Sequence, residues 1–439
     1  MKSISALLII LCAAAQCAPL KSPAIVEGLN IYPADGGVKV TAGKCKVDGK
    51  VVSVKETLLK VDPSESVFVR DEKISAPVSM PEGYGGGQRL RGPNGWDANA
   101  RFSYDPGTLV LKKDGVGLKL GKDYNVSDEF GMIGLTETSS AKPRDFLSAD
   151  YSFSLLRVDS VFVTPKGEVV LKKGDSHVST PLPPKSSGIS LRVANIFVNY
   201  RAKEVKAEDI YPVVEGADKC KTGTTKGLLP KTVEKLKTGE HMRIVFWGDS
   251  VTSGGNAYPG HCFAEAATAM LKAKYPNADM VMFNESYPAS NTNHWMEPEK
   301  NPFPGTCDFE LRVMSLKPDV VVMEFVNDSW FDTAMLDTRY KHIKERLTSI
   351  GCEWVICTPH FVYPPGMGDF DGKTDSRPYV KFLREFTSRE HIALADNAAR
   401  WEHLYLEGIP YITMLGNTIN HPDNRGHRLF AEEIVKCFE

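Results

Sequence analysis

From Arg243 onward the sequence changes its grammar. Apolar runs of strand length at 244–247, 280–283, 320–325, 354–357 and 392–395 alternate with longer segments of helical period at 262–275, 307–315, 335–350, 378–390 and 426–437. Runs that are apolar throughout, rather than at every second residue, belong to strands buried on both faces. That requires a parallel sheet with helices above and below it. Residues 241–439 are therefore predicted to form an α/β domain of three layers, flavodoxin-like in plan. In such sheets ligands sit beyond the carboxyl ends of the strands.

The preceding part reads differently. Short alternating runs recur at 37–41, 50–54, 109–112, 151–155, 160–163, 168–171 and 189–193, separated by turn signals such as Asp48-Gly49, Asp114-Gly115, Lys166-Gly167 and Lys173-Gly174. Many short strands at this spacing predict a β-sandwich or jelly roll over 22–200. The Pro- and Gly-rich stretch 81–93 reads as a loop, or as a linker between two β subdomains. Residues 201–240 form a transition with a polar helix at 230–237.

The length of 439 residues suits two or three domains. A net charge of −2 offers no basic surface for nucleic acid or an anionic membrane. Past the leader no apolar run is long enough to span a bilayer. The leader itself, 1–17, reads as a secretory signal: Lys2, a short apolar core, then Ala13, Ala15 and Cys17, with cleavage after Ala15 or Cys17. Gln16 speaks against lipidation of Cys17. A secreted or periplasmic protein is expected. Seven cysteines follow the leader, an odd number at wide spacing, which allows one or two disulfides but no disulfide framework. Cys352 and Cys357 should face opposite sides of their strand. The sequons at Asn125, Asn284 and Asn327 read as chance. No His, Cys or carboxylate spacing reads as a metal site, and no cofactor is expected.

Four stretches fall at strand ends: Gly248-Asp249-Ser250 after the first run, 284–292 after the second, Asn327-Asp328 after the third, and Asn420-His421-Pro422 before the last helix. Taken alone, Gly-Asp-Ser is also an ordinary turn. In combination, Gly248-Asp249-Ser250, Asn327-Asp328 and His421-Pro422 resemble the SGNH (GDSL-type) hydrolase family over roughly 240–439. The G-x-S-x-G elbow of α/β-hydrolases is absent around Ser250. The resemblance implies that Ser250 is the nucleophile and His421 its base. It also implies an oxyanion hole made of the Ser250 N–H, the Ala289 N–H and the Asn327 side-chain amide. Two departures stand out. Ala289 occupies a position where the family usually carries glycine. Thr418 occupies the position, three before the histidine, where the family usually carries Asp. A backbone carbonyl, Asn417 or Asp423 is left to orient His421. His360 and Trp330 are candidate substrate-lining residues, as are His294 and Trp295. Among the other loop aromatics are Trp247, Tyr258, Phe361 and Tyr363.

A β-rich part before an SGNH-like part is similar in layout to two-domain carbohydrate acetylesterases. That likeness implies an esterase acting on an acetylated polysaccharide or glycan. The same residues admit an esterase acting on lipid or aryl esters. They also admit an impaired domain that binds glycan without turnover.

Overall fold

A computed structural model describes residues 22–77, 87–92, 100–186, 188–302 and 305–439. The leader and most of the stretch 81–93 lie outside these residues. Five parallel strands carry the C-terminal half: β1 (Met242–Gly248), β2 (Met280–Ser286), β3 (Val320–Glu324), β4 (Glu353–Cys357) and β5 (Ala393–Ala395). Their spatial order is β2-β1-β3-β4-β5. Ile244 stands opposite both Met282 and Val320, which fixes the register of β1 with its two neighbours, β2 at the sheet edge and β3. The chain leaves β1 for β2 on one side, then returns to place β3 on the other. The crevice at this switch point is where a doubly wound sheet offers a site.

The helices are α1 (Pro230–Thr238), α2 (Phe263–Lys274), α3 (Thr292–Met296), α4 (Thr333–Ser349), α5 (Pro378–Glu390), α6 (Asn397–His403) and α7 (Asn424–Cys437). Successive strand side chains point to opposite faces. Ile244 and Phe246 enter a core shared with Phe263 of α2 and Phe430 of α7. Val245 and Trp247 enter a second core shared with Tyr340 of α4 and Phe386 of α5. Cys352 and Cys357 fall in these two different cores, and all seven described cysteines are free. The segment predicted as a helix at 307–315 is instead one wide π-type turn, Phe309–Val313, followed by a 3₁₀ turn, Met314–Leu316. It stops at Lys317, whose φ of 49° is left-handed. The short helices α3 and α6 have too little periodicity to announce themselves. Each is started by a side-chain cap, from Asn291 and Asp396 respectively.

The β-rich half packs five antiparallel sheets around two hydrophobic cores. Val38, Val40, Val161 and Ile196 lie in one core, and Leu111, Ile133, Tyr151 and Phe153 in the other. Long strands from distant parts of the sequence tie this half together, as in the pairing of Ser66–Ser75 with Phe146–Ser154. The two halves dock directly. Leu156, Val158 and Phe197 pack against Ile412. The Asn195 amide donates to the Gly408 carbonyl at 2.6 Å, and the Val214 N–H to the Leu406 carbonyl at 2.7 Å.

Candidate active site

At the end of β1 the backbone must pass close to β3. A Cβ on Gly248 would lie 2.2 Å from the Glu324 carbonyl oxygen, so only glycine fits. Asp249 follows, fully buried, and its two carboxyl oxygens accept from the Val251 N–H at 3.0 Å and the Asn327 N–H at 3.2 Å. One side chain thus holds the turn after β1 to the turn after β3. Burial pushes its pKa up to about 7, and burial also raises Glu324 beside it. A third buried carboxyl, Asp328, is raised to about 6 by burial; it accepts from the Thr292 N–H and hydroxyl and from the Tyr340 hydroxyl. It fastens the loop after β2 to the same place.

Ser250 sits on this platform. Its Oγ is 2.9 Å from Nε2 of His421, which arrives on the loop before α7. On the other side of the ring, Nδ1 is 3.1 Å from Oδ1 of Asn256. An amide oxygen can only accept, so Nδ1 carries the proton and Nε2 is the free base facing the serine hydroxyl. Consecutive turns bring Asn256 there. The Gly254 N–H bonds to the Val251 carbonyl, the Gly255 N–H to that of Ser250, and Asn256 adopts a left-handed φ of 62°. A Cβ on Gly255 would lie 2.9 Å from the His421 ring, so glycine is needed for the ring to lie flat against the turn. His427 braces the turn from α7, with Nε2 at 3.3 Å from the Gly255 carbonyl and Nδ1 accepting from the Phe263 N–H.

This arrangement corrects the two orienting candidates. Asn417 does not face the imidazole: its Oδ1 accepts from the backbone N–H groups of Ile419, Asn420 and His421, each at 3.0 Å, so it shapes the loop instead. Asp423 caps α7, accepting from the N–H groups of Arg425 and Gly426 and pairing with the Arg425 guanidinium. Thr418 turns away toward the β-rich half, where its hydroxyl lies 3.4 Å from the Arg101 carbonyl. With no carboxylate partner, burial alone sets the His421 pKa, moving it down to about 4.

Ser250, Ala289, Asn327, Asn417 and His421 line one cavity of about 470 Å³. Ala289 has a left-handed φ of 62°, a conformation glycine adopts freely and alanine does not. Among the described residues, the N–H groups of Ser250 and Ala289 donate to no protein acceptor. The Asn327 amide donates to the Ser290 carbonyl at 2.9 Å, which holds it at the cavity wall with a second N–H to spare.

The candidate lining residues divide. Trp330 is exposed and borders a smaller recess with Asn327 and Tyr363. Tyr363 lines the main cavity and Tyr258 is exposed. His360 is not at the surface of the site. It is fully buried against Trp401 and Phe430, and its Nε2 donates to the Asn420 carbonyl at 2.7 Å, beneath the loop that carries His421. Trp247, Trp295 and Phe361 are core residues; the Trp295 N–H donates to Ser290 Oγ. Sequence reasoning missed Asn256, whose only signal is a Gly-Gly-Asn turn shortly after the serine. It also missed Arg101 and Phe130, which reach the cavity from the β-rich half.

No family model matches the chain, and no curated protein matches it. Solved structures do. A two-domain esterase (CEX) active on acetylated mannans, co-crystallised with mannopentaose, is 20% identical over 47% of this chain and 52% of its own, with a TM-score of 0.38. This chain thus spans about half the length of that protein. A mutant of Axe2, an acetyl-xylooligosaccharide esterase from Geobacillus stearothermophilus, is 17% identical over 46% of this chain and 96% of its own, with a TM-score of 0.38. LAE5, an alpha/beta hydrolase from the metagenome of Lake Arreo, Spain, is 18% identical over 45% of this chain and 96% of its own, with a TM-score of 0.36.

Proposed function

We propose that the chain is an exported serine esterase of the SGNH type that removes short acyl groups, acetyl first among them, from a glycan. One observation carries the reading: Ser250 Oγ lies 2.9 Å from an imidazole whose free base faces it, in a cavity lined also by Ala289 and the Asn327 amide. His421 takes the hydroxyl proton as Oγ attacks the ester carbonyl. The carbonyl oxygen becomes an oxyanion, received by the N–H groups of Ser250 and Ala289 and by the Asn327 side chain. Collapse expels the sugar hydroxyl, which takes the proton back from Nε2, and leaves an acyl-enzyme. Water then repeats the cycle with His421 as base and frees the acid. The role of Asn256 is to hold the tautomer and the ring plane. Amide side chains (Asn327, Asn417, Asn420) beside aromatic faces (Phe130, Tyr363) suit a polyol better than a fatty chain.

The test is release of acetate from acetylated polysaccharides and from 4-nitrophenyl acetate. Ser250→Ala is expected to lose about 10³-fold or more in kcat, and labelling by a fluorophosphonate probe should vanish with it. A neutral Asn256 where a carboxylate would strengthen the base is what favours the rival reading, glycan binding without turnover. That rival requires sugar binding with no acetate released by the unmutated protein on any ester.

A further inference from the structure

The β-rich half sends one side chain into the catalytic cavity in an unusual state. Arg101 is about nine-tenths buried. Its Nε is paired with Glu129. Its guanidinium lies over the Tyr363 ring at 3.9 Å from the centroid, with Phe102 at 4.7 Å and Phe130 at 5.8 Å. Its terminal nitrogens donate to no protein acceptor among the described residues. A guanidinium carries five N–H donors; with Nε taken by Glu129, the terminal ones on the cavity wall are left to water or to a ligand. The backbone here is also forced. Phe102, a bulky residue, holds a left-handed φ of 65°, and the Arg201 guanidinium pins its carbonyl at 2.7 Å. Such a conformation persists only where the surroundings impose it, and it concentrates at binding sites.

Arg101 and Tyr363 also border a second cavity, of about 500 Å³, between the two halves of the chain. Tyr200, Tyr211 and Tyr411 line it. The Arg101–Tyr363 pair is therefore the shared wall between the Ser250 cavity and an aromatic-lined cleft of ligand size. Both spaces are balanced in charge. The second is bordered by Arg101 and Arg201 against Glu208 and Asp209, and Glu129 already answers Arg101 in the first. An anionic sugar would have to compete with Glu129. A neutral one would not.

We propose that Arg101 is a specificity-determining residue supplied by the β-rich half. Its terminal N–H groups donate to hydroxyl or ring oxygens of an uncharged oligosaccharide. The ester of that chain lies at Ser250, and its neighbouring sugars cross Tyr363 into the cleft between the halves. The inference rests on the esterase reading for the ester, but its sugar contact can be measured without turnover.

The experiment is calorimetric binding of unacetylated mannopentaose, xylopentaose and a uronate-containing oligosaccharide to the full chain, to Arg101→Met and to Arg101→Lys. It is paired with kcat and KM on acetylated oligosaccharides and on 4-nitrophenyl acetate. A neutral pentasaccharide should bind the unmutated protein. Arg101→Met should weaken that binding by about 10- to 100-fold, with Arg101→Lys intermediate because it keeps the charge and loses the fork. The loss should appear in KM and exceed the loss on 4-nitrophenyl acetate at least about tenfold. Equal losses on both esters, no binding of any neutral oligosaccharide, or tighter binding of the uronate would each overturn the proposal. Sugar binding lost in Arg101→Met, in a protein that releases no acetate, would uphold this inference and reject the esterase reading.

Discussion

Nδ1 of His421 meets the side-chain oxygen of Asn256 at 3.1 Å, so the imidazole is oriented by a neutral group carried on the same turn as the serine it faces. A carboxylate in that place would both orient the ring and stabilise the imidazolium formed during the reaction. Asn256 can do only the first.

Removing it should therefore cost orientation. Asn256→Ala is expected to lower kcat by about 10²-fold or more, with KM changed much less, since the ring can then turn away from Ser250. Steady-state kinetics on 4-nitrophenyl acetate measures this. Unchanged kcat would show that packing alone holds His421.

The pH profile follows from the same contact. His421 must be neutral to accept the serine proton, and burial lowers its pKa to about 4. As pH falls, the base is lost only near that value, so the acid limb of kcat/KM should lie near pH 4 rather than near the usual pKa of about 6.5. Asn256→Asp places a negative charge against Nδ1, favours the imidazolium and should move the limb upward by about 1–3 units. A limb that stays put would mean that His421 is not the titrating group. Stability should move in the same sense. Below about pH 6.5 the unfolded chain takes up protons that buried His421 and His427 refuse until about pH 4, so these two groups make folding less favourable across that window as pH falls.

Ala289 pays a conformational penalty at φ 62° that glycine would not. A left-handed L-residue costs about 1–2 kcal/mol, and the extra chain entropy of glycine returns about 0.5–1 of that. Ala289→Gly is thus expected to retain activity and raise the melting temperature by about 1–3 °C. Ala289→Val, β-branched, should lower both. Differential scanning calorimetry with parallel kinetics reads the pair.

Restoring an acid at residue 418 should fail. Thr418 is buried and faces the Arg101 carbonyl, not the imidazole. Thr418→Asp is expected to give no gain in kcat and to destabilise by about 1–3 kcal/mol, because a carboxylate would be buried against a carbonyl oxygen. A rise in kcat would mean that this loop can rearrange.

The sequence disclosed the sheet because strands buried on both faces leave continuous apolar runs, such as the one from Ile244 to Trp247. Residues at strand ends were legible too, since Ser250, Asn327 and His421 each sit beside turn-forming neighbours at the end of such a run or before a helix. What orients His421 was not legible. Asn256 reaches the ring through a series of turns that depend on Gly255 having no Cβ, and no periodicity encodes that path. The same holds for Arg101, which is brought to the cavity by docking of the two halves. For His360, an imidazole in a βα loop reads alike whether it faces solvent or, as here, supports the next loop from beneath.

The Thr418 hydroxyl donates to the Asn417 carbonyl at 2.7 Å and comes within 3.4 Å of the Arg101 carbonyl, so the loop bearing His421 abuts the other half of the molecule. The half that carries Ser250 is therefore not a portable module. Excising it, or grafting it behind a different β domain, would leave the wall of its own cavity behind.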